Sequence, residues 1–81
     1  MKIELNSIIK LNNNEKFIVL NYLKEDGRDY YLTMGVKENE EIDSSKVVII
    51  EELKDDEGFY IEKVIDSELL LKLTKLFRDQ L

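Results

Sequence analysis

Apolar side chains alternate with polar ones through most of this chain, which is the pattern of half-buried β-strands. The first alternating segment carries Ile3, Leu5, Ile9 and Leu11 on one face, and the strand signal is strongest at 8–11. The next segment, 17–23, is apolar on both faces over its first four residues. We therefore expect a strand that is covered on both sides.

Turn signals separate these strands from the ones that follow. The run of asparagines at 12–14 predicts a turn, because asparagine tolerates left-handed backbone geometry. Asp26-Gly27 predicts a type I′ hairpin, which needs positive φ at both central positions. Residues 37–45 are charged or small and predict a loop. A strand at 47–50 and an acidic turn at 55–58 then lead to a fifth strand, 59–65.

The third strand, 30–36, places two sets of side chains on opposite faces of the sheet. Tyr30, Leu32, Met34 and Val36 share one face, while Tyr31, Thr33 and Gly35 share the other. We expect Tyr31 and Tyr60 on the open face of the sheet. There they form either cross-strand aromatic pairs or an amphipathic recognition surface, since tyrosine is enriched at interfaces. Gly35 within a strand predicts a bulge or a close backbone approach.

The hydrophobic period changes from two to 3.6 after residue 65. Leucines and a phenylalanine at 69, 70, 73, 76 and 77 have the spacing of one helix face. Asp66 or Ser67 is the expected N-cap, and Glu68 interacts favourably with the helix dipole. These signals predict a helix over about 67–80. Leu71 lies outside the apolar stripe and is either an ordinary exposed leucine or part of a partner surface.

Together these elements predict an α+β fold in one domain, 1–81. The sheet is an antiparallel meander of about five strands, and the C-terminal amphipathic helix packs on one of its faces, because strands joined by short turns favour antiparallel pairing. A strongly bent meander would approach a small barrel. The 81 residues include no cysteine, so stability must come from packing or self-association instead of disulfides.

The balance of charge narrows the class of partner. A net charge of −6 disfavours direct binding to nucleic acid or to an anionic membrane. The acidity either keeps the protein soluble or contacts a basic site on a partner. No segment has the pattern of a signal peptide or a membrane span, and with no cysteine this favours the cytoplasm. The carboxylates of interest lie in or beside predicted turns: Glu38, Glu40, Glu41, Asp43, Asp55, Asp56 and Glu57.

The residues needed for common catalytic sites are missing from the sequence. Without histidine or cysteine, no serine can be activated in the usual way, and the commonest metal ligands are absent. The acidic stretches 38–43 and 55–58 supply oxygen atoms but lack the spacing of an EF-hand loop. The three glycines are too far apart for a phosphate loop. We predict a protein that is not an enzyme and holds neither a cofactor nor a metal.

The strand, hairpin and helix-start signals also occur in an order found in a known group of proteins. The chain resembles the short, acidic YrzB-like proteins of low-GC Gram-positive bacteria over about residues 8–78. It departs from them in its longer alternating N-terminus and its less acidic C-terminus. The resemblance implies a β-meander with a C-terminal helix and supplies no catalytic residues. The segments that carry it are Phe17-Ile18-Val19-Leu20, Gly27-Arg28-Asp29-Tyr30-Tyr31-Leu32, the acidic turn and Ile65-Asp66-Ser67-Glu68-Leu69.

Three functional hypotheses follow from the sequence. The first is a non-enzymatic protein-interaction module that uses the acidic turns, the helix surface or an exposed sheet edge at Val47–Ile50. Such an edge could pair with a partner protein or with a second copy of this chain. The second is a phage or mobile-element inhibitor, anti-CRISPR-like, whose carboxylates mimic nucleic acid. That mimicry requires the carboxylates to form one ridge. The third is a small-molecule-binding domain, although no particular small molecule is identifiable.

Overall fold

The structure is a computed structural model, and it describes residues 3–11 and 13–80. Five strands form one antiparallel sheet in the order β1-β2-β3-β4-β5, and a single helix follows them. The predicted α+β meander with a C-terminal helix is therefore confirmed. The elements are β1 (Ile8–Lys10), β2 (Lys16–Glu25), β3 (Arg28–Val36), β4 (Ile42–Asp55), β5 (Gly58–Lys63) and α1 (Ser67–Asp79).

Local turn chemistry sets the hairpins, as the sequence predicts. Asp26 and Gly27 have φ values of 52° and 77°, which is the backbone that a type I′ turn needs. At the β4–β5 turn, the Asp55 carboxylate accepts hydrogen bonds from the backbone N–H groups of Glu57 (2.8 Å) and Gly58 (3.1 Å). The expected asparagine turn falls partly on residue 12, which lies outside the described residues, and Asn14 has a φ of 66°.

The predicted loop at 37–45 is wrong in its second half, because β4 already begins at Ile42. Met34 pairs with Val47, whereas the next residue, Gly35, pairs with Asp43. The residues between those partners bulge out of the ladder, and Asp43 accepts hydrogen bonds from the backbone and hydroxyl of Ser45 (3.1 and 2.5 Å). Small polar residues suit such a bulge because their side chains replace lost ladder bonds.

The bulge also explains the glycine at position 35. A Cβ there would lie 3.0 Å from the side chain of Lys46, a tight contact that this side chain would have to move to relieve. The bulge predicted near Gly35 is present in the facing strand, whereas the close neighbour is a side chain and not the predicted backbone. The predicted exposed edge at Val47–Ile50 is wrong for its second half, because Ile50 pairs with Lys63 of β5 and the Ile49 carbonyl accepts a hydrogen bond from the Val64 N–H. The backbone edge at Ile49 and Ile50 is therefore not free to pair with a second chain.

The sheet curls, and its concave inner face holds one of two cores. Register shifts in β2 after Val19 and in β4 between Asp43 and Val47 bend the sheet. Lys63 of β5 then reaches Glu15, which precedes β2, at 2.9 Å. The side chains at the centre of the inner face are fully buried: Phe17, Val19, Tyr31, Thr33 and Ile50. Ile3, Ile9 and Ile61 pack against this inner core.

The convex outer face carries the helix. Asp66 caps α1 by accepting hydrogen bonds from the backbone N–H groups of Glu68 and Leu69, as predicted. Leu73 and Phe77 bury their side chains against Tyr30 and Ile49. The second strand was expected to be covered on both sides, but Ile18 on its outer side is only partly buried. Since α1 covers only part of the outer face, that expectation is wrong.

Candidate interaction surface

A group of apolar side chains lies on the outer face where α1 does not cover it. The sheet register aligns Ile8, Ile18, Met34 and Val47 across four strands, because directly paired residues share a face. The next outward-facing pair along the sheet is Val36 with Ile42. We call this surface the open patch, and its members are Ile8, Ile18, Met34, Val36, Ile42 and Val47.

The open patch is exposed to solvent to an unusual degree for such residues. Ile8, Ile42 and Val47 retain 56%, 52% and 50% of their accessible surface. The other three members are partly buried. Single exposed apolar residues are common on protein surfaces, whereas a contiguous set on one sheet face is a candidate interaction site.

A groove joins the open patch to α1. Its volume is about 350 Å³, and its lining is mostly apolar. The sheet contributes Leu32, Met34, Val47 and Ile49, while the helix contributes Leu70, Thr74, Phe77 and Arg78. The helix residues at 70, 74 and 77 follow i, i+4, i+7 spacing, so the wall of the groove runs along the helix axis. A rod-shaped apolar group could therefore lie beside α1.

Three cations border the open patch and its groove. Lys10 and Lys16 pair directly across β1 and β2 on the outer face, next to Ile8 and Ile18. Arg78 stands on the helix wall of the groove. All three side chains are exposed, and none forms an ion pair with the residues that the structure describes. The border of the patch is nevertheless mixed in charge, because Glu38, Glu40 and Glu41 lie in the turn that joins its members Val36 and Ile42.

The polar groups of the inner face, by contrast, are occupied by one another. The Tyr31 hydroxyl accepts a hydrogen bond from the backbone N–H of Ile3 (3.0 Å) and donates one to Glu52 (3.1 Å). The Tyr22 ring packs against the Tyr31 ring in a tilted arrangement, with centroids 5.2 Å apart, and the Tyr22 hydroxyl donates a hydrogen bond to Asp29. That hydrogen bond to a carboxylate raises the pKa of Tyr22 to about 12, and burial raises the pKa of Tyr31.

These contacts correct one sequence expectation. Tyr31 was expected on the open face, but its side chain is fully buried. The reason is the curl of the sheet together with the N-terminal segment, since Ile3 packs over the inner core and bonds the phenol. Tyr31 is therefore a structural residue and cannot contact a partner in this conformation.

Glu15 forms an ion-pair cluster at the other end of the inner face. Its carboxylate contacts the ammonium groups of Lys46 and Lys63, and both ammonium groups lie within 6 Å of the centre of the Phe17 ring. Hydrogen bonds from Lys46, from Lys63 and from Asn13 lower the pKa of Glu15 to about 2. This cluster ties the β1–β2 turn to β4 and β5, so it holds the curl in place.

An open seam remains between the two edge strands, β1 and β5. It contains a cleft of about 740 Å³, lined from one side by Lys10, Leu11 and Asn13 and from the other by Tyr60–Lys63 and Ile65. The Val64 N–H donates a hydrogen bond to the Ile49 carbonyl (2.9 Å), so the backbone groups of Val64 point toward β4. Because backbone groups alternate in direction along a strand, those of Phe59, Ile61 and Lys63 point the other way, toward the seam. The seam is therefore an unpaired strand edge.

The carboxylates singled out in the sequence form two separate groups. Glu38, Glu40 and Glu41 lie at the turn that precedes β4, close to Asp43 at its start, whereas Asp55, Asp56 and Glu57 lie at its far end. The 14 residues of β4 separate the groups, so the single ridge required for nucleic-acid mimicry does not form. Tyr60 and Leu71 are exposed, at 42% and 74%, as a partner surface would require.

The open patch was not singled out from the sequence, although one signal for it was present. The third strand alternates apolar residues from Tyr30 to Val36, so its outer face is apolar along most of its length. The pairing of Ile8 and Val47 with that stretch depends on sheet register, which sequence patterning does not reveal.

No family model, curated protein or solved structure matches this chain. Among the described residues, there is no group of three or more acidic side chains placed to hold a metal ion. Within the same residues, no helix has the length and apolar character needed to cross a bilayer. A functional proposal for this chain therefore rests on the geometry of its surface.

Proposed function

We propose that this chain is a non-enzymatic interaction module that binds another protein through the open patch. The observation that carries the proposal is the contiguous apolar half of the outer face that α1 leaves exposed. The sequence supports the non-enzymatic part, since it contains no histidine or cysteine. The absence of cysteine supports a cytoplasmic location within the same proposal.

The size of the patch sets an expected affinity. Covering a half-exposed valine or isoleucine contributes about 1 kcal/mol, and the groove adds a comparable amount for each side chain it takes up. Association costs at least about 4 kcal/mol in lost freedom of motion. The surplus is about a few kcal/mol at most, which corresponds to weak, reversible binding with a Kd of roughly millimolar.

Site-specific cross-linking tests the proposal. The chain has no cysteine, so Val47→Cys introduces a unique attachment point for a photoreactive maleimide within the open patch. Leu71→Cys is the matched control, because Leu71 is also exposed but lies outside the patch. We expect a discrete cross-linked protein from position 47 and none from position 71, with loss of the product when Met34→Asp is added. Equal labelling of the same proteins from both positions would contradict the proposal.

The seam supports a second candidate, in which a partner adds a strand along β5. In an antiparallel meander β1 and β5 run in the same direction, so one inserted strand would be antiparallel to both. The expected sheet-edge interaction would then use β5 instead of Val47–Ile50. A cross-link from Glu62→Cys, which lines the cleft, without one from Val47→Cys would favour this candidate.

A further inference from the structure

The β1 edge of the seam points backbone hydrogen-bonding groups into the cleft, as the β5 edge does. The Ser7 carbonyl and the Leu11 N–H form hydrogen bonds on the β2 side of β1, at 2.9 and 2.8 Å. Alternation along the strand therefore turns the backbone groups of Ile8 and Lys10 away from β2 and into the seam. Among the described residues, no ladder joins β1 to β5, so both rows of groups are open to another backbone.

The β5 edge has few of the features that block strand addition. Proteins protect exposed edges with proline, with bulges or with unpaired lysines that point inward. The sequence contains no proline, and β5 pairs with β4 along its length without a register shift. Lys63 does point inward, but its ammonium group is held by Glu15 at 2.9 Å. The backbone groups of Ile61 and Lys63 are therefore regular and accessible.

The topology determines what can pair with both edges. β1 and β5 run in the same direction, and residues of both strands line the same cleft. A strand placed between them would be antiparallel to each, and it would close the curled sheet into a barrel of six strands without free edges. Resting on the second candidate for the proposed function, we infer that the seam takes up one extended segment of a partner protein, which bonds to β1 and β5 at once.

The walls of the seam define the side-chain pattern of that segment. Side chains of an added strand alternate between the two faces of the sheet. Those on the inner face would lie beside Ile9 and Ile61, which pack against the inner core. Those on the outer face would lie beside Lys10, Tyr60 and Glu62, which are exposed. The segment therefore carries apolar side chains at every second position and polar ones between them.

The chain itself covers only the start of the β5 edge. Ile3 borders a small cavity beside Phe59, whereas Lys63 lines the open cleft together with Lys10 of β1. The added strand therefore lies beside the second half of β5, where the amides of Ile61 and Lys63 should engage it.

A second folded copy of this chain does not fit the seam. Every strand of the sheet already has at least one bonded neighbour. If a strand of a second copy paired with β5 across the seam, its own neighbour would have to occupy the position of β1. Only a segment with two free edges avoids this overlap, so the occupant is an extended stretch of a partner that belongs to no other sheet.

A tethered peptide tests this inference by amide hydrogen exchange. The peptide alternates valine with threonine over about seven residues, which is a common strand length. A disulfide joins its own cysteine to Glu62→Cys, which is the only cysteine of the variant protein. Tethering gives an effective concentration in the millimolar range, so a segment with a Kd of roughly 0.1 mM would be about nine-tenths bound.

The amides that point into the seam should respond to the peptide, and their neighbours should not. We expect exchange at Ile8, Lys10, Ile61 and Lys63 to slow about tenfold, which corresponds to that degree of binding. The Tyr60 N–H points toward β4, so its exchange should be slow with and without the peptide. Slow exchange at Tyr60 also verifies that the variant is folded.

Two controls isolate the contribution of the backbone. A peptide with N-methyl groups on alternate residues keeps its side chains but loses its donors toward one edge, so it should protect β1 or β5 and not both. The unmodified peptide tethered at Leu71→Cys, which is exposed on α1, should leave exchange at all the seam amides unchanged.

The remaining outcomes separate this inference from the proposed function. Protection of β5 amides without those of β1 would overturn the bridging strand, and no protection at either edge would overturn the inference as a whole. Slow exchange at Ile61 without any peptide would also overturn it, because the seam would then already be closed. Protection that grows with protein concentration in the absence of peptide would overturn it in favour of a second copy. Cross-linking from Val47→Cys tests the open patch separately, so none of these results decides that proposal.

Discussion

Val47 and Ile49 point to the same face of the same strand, two residues apart, yet their environments are opposite. Ile49 is 4% exposed beneath α1, while Val47 is 50% exposed beyond the edge of the helix. Both have β-branched side chains with similar strand propensity. The comparison separates two uses of one apolar face: the half under α1 stabilises the fold, and the open half is available for binding.

Placing a charge at each of these positions gives the largest expected contrast. Ile49→Asp buries a carboxylate in the core and should reduce the free energy of unfolding by more than about 4 kcal/mol. For a chain of this length the total stability is about 4–12 kcal/mol, so this variant should be largely unfolded or close to it. Val47→Asp should cost about 1 kcal/mol or less. Urea unfolding followed by circular dichroism measures both, and similar losses at the two positions would break the comparison.

Two leucines of α1 extend the comparison to the helix. Leu73→Ala should lower the free energy of unfolding by about 3 kcal/mol, because Leu73 is fully buried against the sheet. Leu71→Ala should change it by less than about 0.5 kcal/mol, since 74% of that side chain is exposed. Chemical denaturation of the two variants provides the measurement. A large loss at Leu71 would mean that the helix packs through another face.

One buried tyrosine, Tyr31, and one exposed tyrosine, Tyr60, test the hydrogen bonds of the inner face. Tyr31→Phe removes the hydroxyl that links the Ile3 backbone to Glu52 and should cost about 1–3 kcal/mol. Tyr60→Phe removes an exposed hydroxyl and should leave the unfolding midpoint almost unchanged. Thermal unfolding of both variants distinguishes them. Equal midpoints would show that the N-terminal segment does not depend on the Tyr31 hydroxyl.

Glu15 should give the smallest effect, confined to acidic pH. Its pKa is lowered from the usual 4.5 to about 2 in the folded protein, so its ion pairs stabilise the fold above pH 4.5. That contribution is lost as the pH falls toward 2. Glu15→Gln should therefore show a shallower loss of stability over this range, as measured by urea midpoints at several pH values. Glu38→Gln, in an exposed turn, is the control, and identical curves for Glu15→Gln and the wild type would contradict the proposed role of the cluster.

The parts of the fold that the sequence predicts correctly are those with local causes. Asp26-Gly27 favours its turn without tertiary help, and Asp66 with the leucine spacing marks the start of α1. The burial of Tyr31 could not be predicted, because it depends on curvature and on a contact with Ile3, which lies 28 residues away in sequence. Ser44 and Ser45 have loop chemistry, yet they belong to a bulge whose register is fixed by β3.

The candidate surface was only partly predictable for the same reason. Tyr60 and Leu71 are exposed as expected, but the acidic residues fall into two groups and Tyr31 is buried. The open patch arises from pairing between strands that are distant in sequence, such as Met34 with Val47. Periodicity identifies the apolar face of each strand, but which part of that face the helix leaves exposed depends on how α1 packs.

The most direct test of the central claim is the reactivity of a single cysteine at position 47 in living cells. The maleimide labelling rate of Val47→Cys is compared in cells and in the purified protein, with Leu71→Cys as the reference. If a partner occupies the open patch, position 47 should be protected in cells relative to position 71 and equally reactive when pure. Labelling of position 47 in cells at the rate of the purified protein would contradict the claim.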